Sequence, residues 1–201
     1  MDTMDKVFVL GIDPGLRGGL AFLAQDGSIE LHAMPTIGDK DYDIQEIKRL
    51  LRHFMPNLTV LEQQIAMPGQ GLTSTLQTGK GFGILLGLLA GLEMPHQVVG
   101  AKAWQGKLFT GVKADLDTKI KSEIVAKRIF PSADFRKSDR ARVAADGLTD
   151  AACIAEYARR LYSGNGVTVE KQRDHTPMSG NEDMCSKCGD FIPTSSTCSI
   201  A

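Results

Sequence analysis

Short, mostly apolar runs recur along the first half of the chain, and glycine, proline or charged residues separate them. Runs of this length are too short for typical helices and are characteristic of buried strands. The sequence Gln25-Asp26-Gly27-Ser28, between the second and third runs, is a hairpin-turn signal. The pattern predicts five strands, at residues 7–13, 19–23, 29–34, 58–62 and 96–99.

Longer segments with apolar residues every three or four positions predict helices between and after these strands. Asp43 and Glu46 have the spacing of a capping box, which marks the start of a helix. We therefore predict an α/β fold in which a mixed five-stranded sheet is flanked by helices. The predicted helices cover residues 43–55, 73–92, 101–109, 115–130 and 143–162.

The composition changes after Ser163, where the chain becomes polar and rich in glycine, serine and proline. A stretch of this kind offers little apolar surface for a packed core. We therefore expect a folded domain at residues 1–162 and a flexible polar C-terminal tail at residues 163–201.

Four glycines repeat at four-residue intervals along the predicted helix 73–92, although glycine inside a helix costs up to ~1 kcal/mol relative to alanine. Positions four apart share one helix face, so the stripe indicates that this face approaches another backbone closely. Two partners fit the pattern: the sheet of the same chain, or the same helix of a second copy in a homodimer. The stripe comprises Gly79, Gly83, Gly87 and Gly91.

Composition is that of a one-domain soluble protein, with 201 residues, 42% of them hydrophobic and 23% charged. No apolar run approaches the ~20 residues that a membrane span needs. The acidic start MDTMDK does not resemble a signal peptide. We therefore expect a cytoplasmic location and no membrane partner.

The net charge of −1 conceals an uneven distribution. Residues 102–142 hold eleven Lys or Arg and five acids, so this segment carries +6 and the remainder of the chain −7. A basic segment is often only a solvated surface, but it also attracts nucleic-acid phosphates. Its position between two groups of acidic residues favours the second interpretation.

Those acidic residues stand where a fold of this kind can bring them together. Asp13 and Glu62 each end an apolar run, and Asp146 and Asp150 lie four apart in a predicted helix. Taken singly, each acid is also typical of a turn or a helix start. Together, close carboxylates repel by roughly 4 kcal/mol per pair at an effective dielectric near 20. Mg²⁺ ions relieve that repulsion, and two such ions are the apparatus of phosphodiester displacement.

Three segments resemble the motifs of RuvC-type Holliday-junction resolvases, a family of the ribonuclease H-like superfamily. The segments are GIDPGLRGGLA, LEQQIAMPGQGLTSTLQTGKGFG and DGLTDAACIAEYA, and the resemblance covers about residues 6–162. The spacing between Asp146 and Asp150 is similar to that of bacteriophage and chloroplast members, so a phage origin and a host-cytoplasm location are expected. Asp139 is a second candidate acid for the third motif.

The resemblance implies a homodimer that binds a four-way DNA junction and nicks two opposing strands. It implies that Asp13, Glu62, Asp146 and Asp150 bind two Mg²⁺, or Mn²⁺ in their place, which activate water and stabilise the leaving oxygen. The loop 67–70 is expected near the junction centre. The residues expected to contact DNA are Gln70, Lys80, Lys107, Lys113, Lys119, Arg136 and Lys137.

Two further features have open interpretations. Trp104, the only tryptophan, is either a core residue of its helix or a platform on which a base stacks. The tail contains a Cys-x-x-Cys-Gly knuckle that suits half of a structural zinc site, or it is a disordered thiol-bearing segment. The candidate zinc ligands are Cys185, Cys188, Cys198 and His175.

Other functions fit parts of the sequence. A related ribonuclease H-like nuclease would act on RNA or on other branched DNA, and a junction-binding protein would lack catalysis. The GIDPG turn also opens actin-like and sugar-kinase ATPases, but these need two such domains and the chain is too short for both. Cleavage of synthetic junctions with Mg²⁺, compared with ATP hydrolysis, separates these classes.

Overall fold

The protein has a central sheet with helices packed against it. The computed structural model describes residues 8–65, 69–137, 140–164, 177–178 and 181–185. The chain has two compact units, Met1–Gly166 and Val167–Ala201. The elements of the first unit are β1 (Phe8–Asp13), β2 (Gly19–Ala24), β3 (Ile29–Ala33), β4 (Thr36–Ile37), β5 (Asp41–Tyr42), α1 (Ile44–Phe54), β6 (Leu58–Glu62), α2 (Leu72–Gly91), β7 (His96–Val99), α3 (Ala101–Leu108), α4 (Thr118–Ile129) and α5 (Asp146–Ser163).

The main sheet has the strand order β3-β2-β1-β6-β7, which confirms the predicted mixed five-stranded fold. The strands β1, β2 and β3 follow one another as antiparallel neighbours, while β1, β6 and β7 are parallel. Parallel neighbours need a crossover, and α1 and α2 supply it. As a result, the carboxyl ends of β1 and β6 lie at the same edge of the sheet.

A second, two-stranded ribbon of β4 and β5 lies between the sheet strand β3 and α1, and the sequence pattern did not predict it. Strands of two residues are too short to show an alternating period. The ribbon pairs Thr36 with Tyr42 and places the Tyr42 ring in the core, where it is 6% exposed. The Tyr42 hydroxyl accepts a hydrogen bond of 2.8 Å from the backbone N–H of Gly15. The ribbon therefore fixes the loop that follows β1.

Half of the predicted capping box is present at the start of α1. The Asp43 side chain accepts a hydrogen bond from the backbone N–H of Glu46 at 3.0 Å. The Glu46 carboxylate pairs with Arg49 instead of returning to Asp43, whose N–H donates to the Pro35 carbonyl. The helix is capped by one bond and buries its apolar face on the sheet.

Helix α5 lies directly against the backbones of β1 and β2, because two glycines leave space for it. A Cβ atom added at Gly11 would overlap the backbone of Ala155, and one added at Gly147 would overlap the carbonyl of Arg17. The helix begins at Asp146, so the predicted start at residue 143 is wrong. The reason is a tertiary contact: Ala145 is extended and donates its N–H to the Phe135 carbonyl.

The glycine stripe of α2 faces open space in this chain. A Cβ atom added at any of the four stripe glycines would have no heavy atom within 4 Å outside its own local backbone. The interpretation that the stripe packs on the sheet of the same chain is therefore wrong. A different glycine of this helix, Gly81, makes the close contact, because its Cβ position is 3.1 Å from the Tyr42 hydroxyl oxygen.

The second unit contains an antiparallel pair, β8 (Pro177–Met178) and β9 (Asn181–Cys185). Of the residues predicted to bind zinc, Cys185 is the last residue of β9, whereas His175, Cys188 and Cys198 lie outside the described residues. The zinc site stays a prediction. Within the described parts of both units, no helix is long and apolar enough to cross a membrane.

The close packing of α5 predicts opposite effects for two glycine-to-alanine changes. Gly11→Ala should lower the free energy of unfolding by about 3 kcal/mol or more, because its methyl group cannot fit beside Ala155. Gly106→Ala, on α3 with open space around it, should raise that free energy by roughly 0.5–1 kcal/mol. Urea unfolding followed by circular dichroism measures both. Equal midpoints for Gly11→Ala and the wild type would contradict the described contact.

Candidate active site

Two carboxylates are placed side by side by strand pairing. Ile12 of β1 pairs with Leu61 of β6 in a parallel register, so Asp13 and Glu62 are the next residues on neighbouring strands. Both are the last residues of their strands. The interaction between the two side chains raises the pKa of Asp13 and lowers that of Glu62. The sheet edge therefore brings together two of the predicted acids.

The other two acids come from the first turns of α5. Asp146 is the first residue of the helix, and Asp150 lies one turn later on the same face. Their charges act on Asp13, and the charge of Asp150 acts more strongly than that of Asp146. The structure thus brings all four predicted acids into one electrostatic neighbourhood built from three elements.

Burial raises the pKa of Asp13 well above its ordinary value, and the negative charges of Asp150 and Glu62 raise it further. Burial also raises the pKa of Glu62, although hydrogen bonds from Trp104 and Asp13 oppose that rise. A carboxyl group that is both desolvated and surrounded by like charge favours its protonated form. This pair consequently retains a proton more readily than ordinary surface acids.

Burial raises the pKa of Asp150 to about 6. The nearby Ser122 hydroxyl opposes this rise, and the charges of Glu62 and Asp146 add to it. Within the described residues, neither Ser122 Oγ nor Asp150 Oδ1 has a partner in ordinary hydrogen-bond geometry, and both atoms are buried. Asp150 therefore presents a buried oxygen without a donor, which a cation would satisfy.

Among the residues that the structure describes, Lys119 brings a positive charge to the site. The Nζ atom of Lys119 lies 2.8 Å from Asp146 Oδ2, and both side chains are more than half exposed. The charge of Lys119 also lowers the pKa of Asp150, although this is the smallest of the causes acting there. Lys119 thus neutralises the outer carboxylate and leaves the three inner ones to repel each other.

The chemistry of these donors fits hard divalent cations, which prefer carboxylate oxygens. Four carboxylates, the repulsion between them and the unpartnered Asp150 Oδ1 all favour a cation at this position. Among the residues that the structure describes, no group of three or more His, Cys, Asp or Glu already has the arrangement that holds one ion. In this conformation Lys119 balances part of the charge of the acids through its ion pair with Asp146.

Trp104 contributes to the site in a way that sequence reasoning missed. Its ring is 1% exposed, which confirms the core interpretation. Its indole N–H also donates a hydrogen bond of 3.0 Å to Glu62 Oε1. This bond fixes the orientation of the Glu62 carboxylate at the edge of the sheet. The sequence marks Trp104 only as the single tryptophan of the chain. The periodicity of α3 does not reveal that its side chain contacts Glu62 at the end of β6.

The residues predicted to contact DNA lie in several environments. Lys80 pairs with Asp41, Arg136 pairs with Asp134, and Lys107 lies 5.4 Å above the Tyr157 ring. Gln70 donates to the hydroxyls of Ser74 and Thr78. Lys113 and Lys137 are exposed. Of this set, Lys119 is the residue that directly contacts one of the four acids.

Two predictions near the site fall outside the described residues. Asp139, the second candidate for the third motif, is one of these, and so is Met67 of the loop expected near the junction centre. The choice between Asp139 and Asp146 therefore stays open to experiment.

Comparison with solved structures shows the fold of known resolvases. Thermus thermophilus RuvC in complex with a Holliday junction substrate covers 79% of this chain and 97% of its own, with a TM-score of 0.52 and 17% identity. A second structure of Thermus thermophilus RuvC aligns over 80% of this chain and 97% of the RuvC chain, with a TM-score of 0.52 and 20% identity. The yeast mitochondrial Holliday junction resolvase Ydc2 aligns over 79% of this chain and 80% of the Ydc2 chain, with a TM-score of 0.51 and 15% identity.

At these identities the similarity establishes a shared ribonuclease H-like fold. No protein-family model matches the chain. No curated protein matches its sequence. The expected placement in the bacteriophage and chloroplast branch is not supported by these comparisons.

The raised pKa of Asp150 predicts a pH-dependent gain in stability for Asp150→Asn in the presence of EDTA. Between the ordinary pKa of 3.8 and the folded value of about 6, the folded state binds more protons than the unfolded state. Wild-type stability therefore falls as the pH rises through this window. Asn lacks the charge, so the variant should be more stable at pH 7 by up to about 3 kcal/mol and nearly equal at pH 4.

Urea unfolding at pH 4, 5, 6 and 7 measures this difference. Asp134→Asn is the matched control, because Arg136 lowers the pKa of Asp134 to about 2 and its removal should give no gain. A gain for Asp150→Asn that is absent at pH 7, or equal at every pH, would contradict the described burial.

Proposed function

We propose that the chain is a divalent-metal-dependent endonuclease that resolves four-way DNA junctions by paired nicks. The observation that carries this proposal is the convergence of Asp13, Glu62, Asp146 and Asp150 from β1, β6 and α5. An assembly of four carboxylates is unfavourable for a purely structural purpose, because each charge raises the cost of the next. The shared fold of the resolvases supports the choice of substrate.

The four carboxylates would hold two Mg²⁺, or Mn²⁺ in their place, and the Asp150 oxygen that lacks a donor fits this use. When bound, such ions activate water and neutralise the charge of a phosphodiester in displacement. The protein supplies the orientation. Trp104 holds Glu62 Oε1 and Lys119 holds Asp146 Oδ2, so the orientation of these two acids is set from outside the cluster.

The DNA backbone would be bound by basic residues outside the acid cluster. Lys119 is beside the acids, and Lys113 and Lys137 are exposed on the segment with the charge of +6. Because each neutralised phosphate releases counterions, affinity should fall steeply with salt. These contacts position the junction and leave the chemistry to the carboxylates.

A second copy of the chain would bind to the open face of α2. Leu72 is 89% exposed and Leu76 is 73% exposed, and the glycine stripe continues the same open side of the helix. Apolar side chains followed by glycines let two helices approach closely. Two active sites related by a twofold axis match the symmetry of a four-way junction and permit paired nicks.

Removal of any one carboxylate should abolish nicking of a synthetic four-way junction while junction binding is retained. The variants are Asp13→Asn, Glu62→Gln, Asp146→Asn and Asp150→Asn, each tested with Mg²⁺ and with EDTA. We expect a loss of at least about 100-fold in the single-turnover rate, because metal catalysis depends on the full ligand set. Gel-shift affinity in EDTA should remain within about threefold.

Asp26→Asn, in the turn between β2 and β3, is the matched control and should nick at the wild-type rate. A fork, a duplex and an RNA–DNA hybrid are compared with the junction in the same assay. If the protein cleaves the hybrid or the fork faster than the junction, that nucleic acid would replace the four-way junction as the proposed substrate. Full activity of Asp146→Asn together with an inactive Asp139→Asn would show that Asp139 is the acid of the third motif.

Gly87→Leu should convert a dimer to a folded monomer, because the leucine occupies the open face where the second copy would lie. Sedimentation velocity measures the mass, and circular dichroism reports the fold. The monomer should lose coordination of the two nicks. Ala103→Leu, another exposed helical position that receives the same side chain, should leave the mass unchanged. A folded Gly87→Leu protein with the mass of the wild-type dimer would place the interface elsewhere.

A further inference from the structure

Ser122, in α4, carries a buried hydroxyl group that packing does not require. The residue is 0% exposed, and its Oγ atom has no hydrogen-bond partner within the described residues. A serine inside a helix often donates to a carbonyl of the preceding turn, but Ser122 has no such bond. Ala126, one turn later, is also 0% exposed, so a methyl side chain suits this face of the helix. A buried hydroxyl without a partner costs stability, which favours a role outside packing.

Contacts between α4 and α5 place that hydroxyl beside Asp150. Lys119 pairs with Asp146, and about one turn later on each helix stand Ser122 and Asp150. The Sγ atom of Cys153 lies 3.6 Å from the Ser122 carbonyl oxygen, so the two helices run side by side in the same direction. Because helical side chains tilt toward the N-terminus, the Ser122 hydroxyl reaches the level of Asp150. Burial raises the pKa of Asp150, and this hydroxyl is the largest opposing influence.

Asp150 supplies the acceptor that Ser122 lacks. Its Oδ1 atom is buried and is likewise without a partner among the described residues. An ionised carboxylate only accepts hydrogen bonds, whereas a hydroxyl can donate one, so the two groups are complementary. In the arrangement described here the bond between them is not made. The two unsatisfied atoms are therefore a matched donor and acceptor at the buried side of the acid cluster.

A neutral donor suits this position better than a basic side chain. A Lys or Arg beside Asp150 would cancel charge that attracts a cation, as Lys119 already does at Asp146. A hydroxyl fixes the orientation of a carboxylate without changing the net charge of the cluster. A carboxylate oxygen has lone pairs for a cation and a hydrogen bond together, and carboxylates that bind metals are commonly held by such outer bonds. Ser122 has the chemistry and the position of such an outer donor.

We propose that Ser122 is a positioning residue of the acid cluster: its hydroxyl donates to the Asp150 carboxylate when a divalent cation is bound, and holds that carboxylate toward the ion. This role rests on the proposed function, since it needs the cation site. Loss of the hydroxyl should weaken cation binding by about tenfold or more, because outer bonds to metal ligands contribute to affinity on this scale.

Calorimetric titration with Mn²⁺ tests this role without any cleavage. Ser122→Ala should raise the Kd of Mn²⁺ by about tenfold or more, whereas Ser122→Thr, which keeps the hydroxyl, should stay within about threefold of the wild type. Thr59→Val is the matched control and should bind like the wild type, because Thr59 Oγ1 is another buried hydroxyl without a partner among the described residues and belongs to β6. Equal affinity of Ser122→Ala and the wild type would overturn the assignment.

Urea unfolding separates positioning from a structural role. In EDTA, Ser122→Ala should unfold at the wild-type midpoint or above it, because the removed hydroxyl makes no bond within the described residues. With Mn²⁺, the wild type should gain more stability than the variant, since a ligand stabilises the folded state according to its affinity. Equal gains in the two proteins, or a variant midpoint in EDTA well below that of the wild type, would show that the hydroxyl serves the fold instead.

Nicking of the four-way junction over a range of Mg²⁺ concentrations separates this role from the proposed function. The Mg²⁺ concentration that gives half the maximal rate should rise about tenfold in Ser122→Ala, and most of the defect should disappear at saturating Mg²⁺. Weaker Mn²⁺ binding by Ser122→Ala, with no cleavage by the wild type, would refute the nuclease and leave the positioning role. Cleavage by the wild type, with an unchanged Mg²⁺ requirement in Ser122→Ala, would overturn the role and leave the nuclease.

Discussion

Repulsion between carboxylates that the backbone holds together is the constraint on which the rest of this structure depends. Helix α5 lies so close to β1 and β2 that Gly11 and Gly147 have no room for a side chain. The same helix carries Asp146 and Asp150 in its first turns, toward the ends of β1 and β6. The packing that forms the core therefore also concentrates negative charge, and burial raises the pKa of Asp13 and Asp150 in response.

The surrounding residues balance part of that charge and leave the rest. Lys119 neutralises the exposed Asp146, while Trp104 donates to Glu62 from within the core. Burial raises the pKa of both Asp13 and Glu62, and Asp150 keeps one oxygen without a donor among the described residues. An incompletely balanced group of acids is costly to the fold, and such sites are typical of function. We propose that divalent cations supply the remaining balance, as the proposed DNA cleavage would require.

The sequence pattern was sufficient wherever a local period carried the information. Runs of apolar residues predicted the five strands, and the ends of two runs identified Asp13 and Glu62. Contacts between distant segments were not predictable in this way. The bond from Trp104 to Glu62 spans 42 positions, and the start of α5 depends on the bond from Ala145 to Phe135. The two-residue strands of the β4–β5 ribbon were missed because they have no period.

Binding of Mn²⁺ followed by the emission of Trp104 tests the central claim most directly. Trp104 is the only tryptophan and is bonded to Glu62, so a paramagnetic ion held by the four acids lies close enough to quench it. We predict saturable quenching by Mn²⁺ in the wild type, reversed by EDTA, and its loss in folded Asp13→Asn. Emission that does not change with Mn²⁺, or that is quenched equally in Asp13→Asn, would contradict the claim that these carboxylates form a cation site.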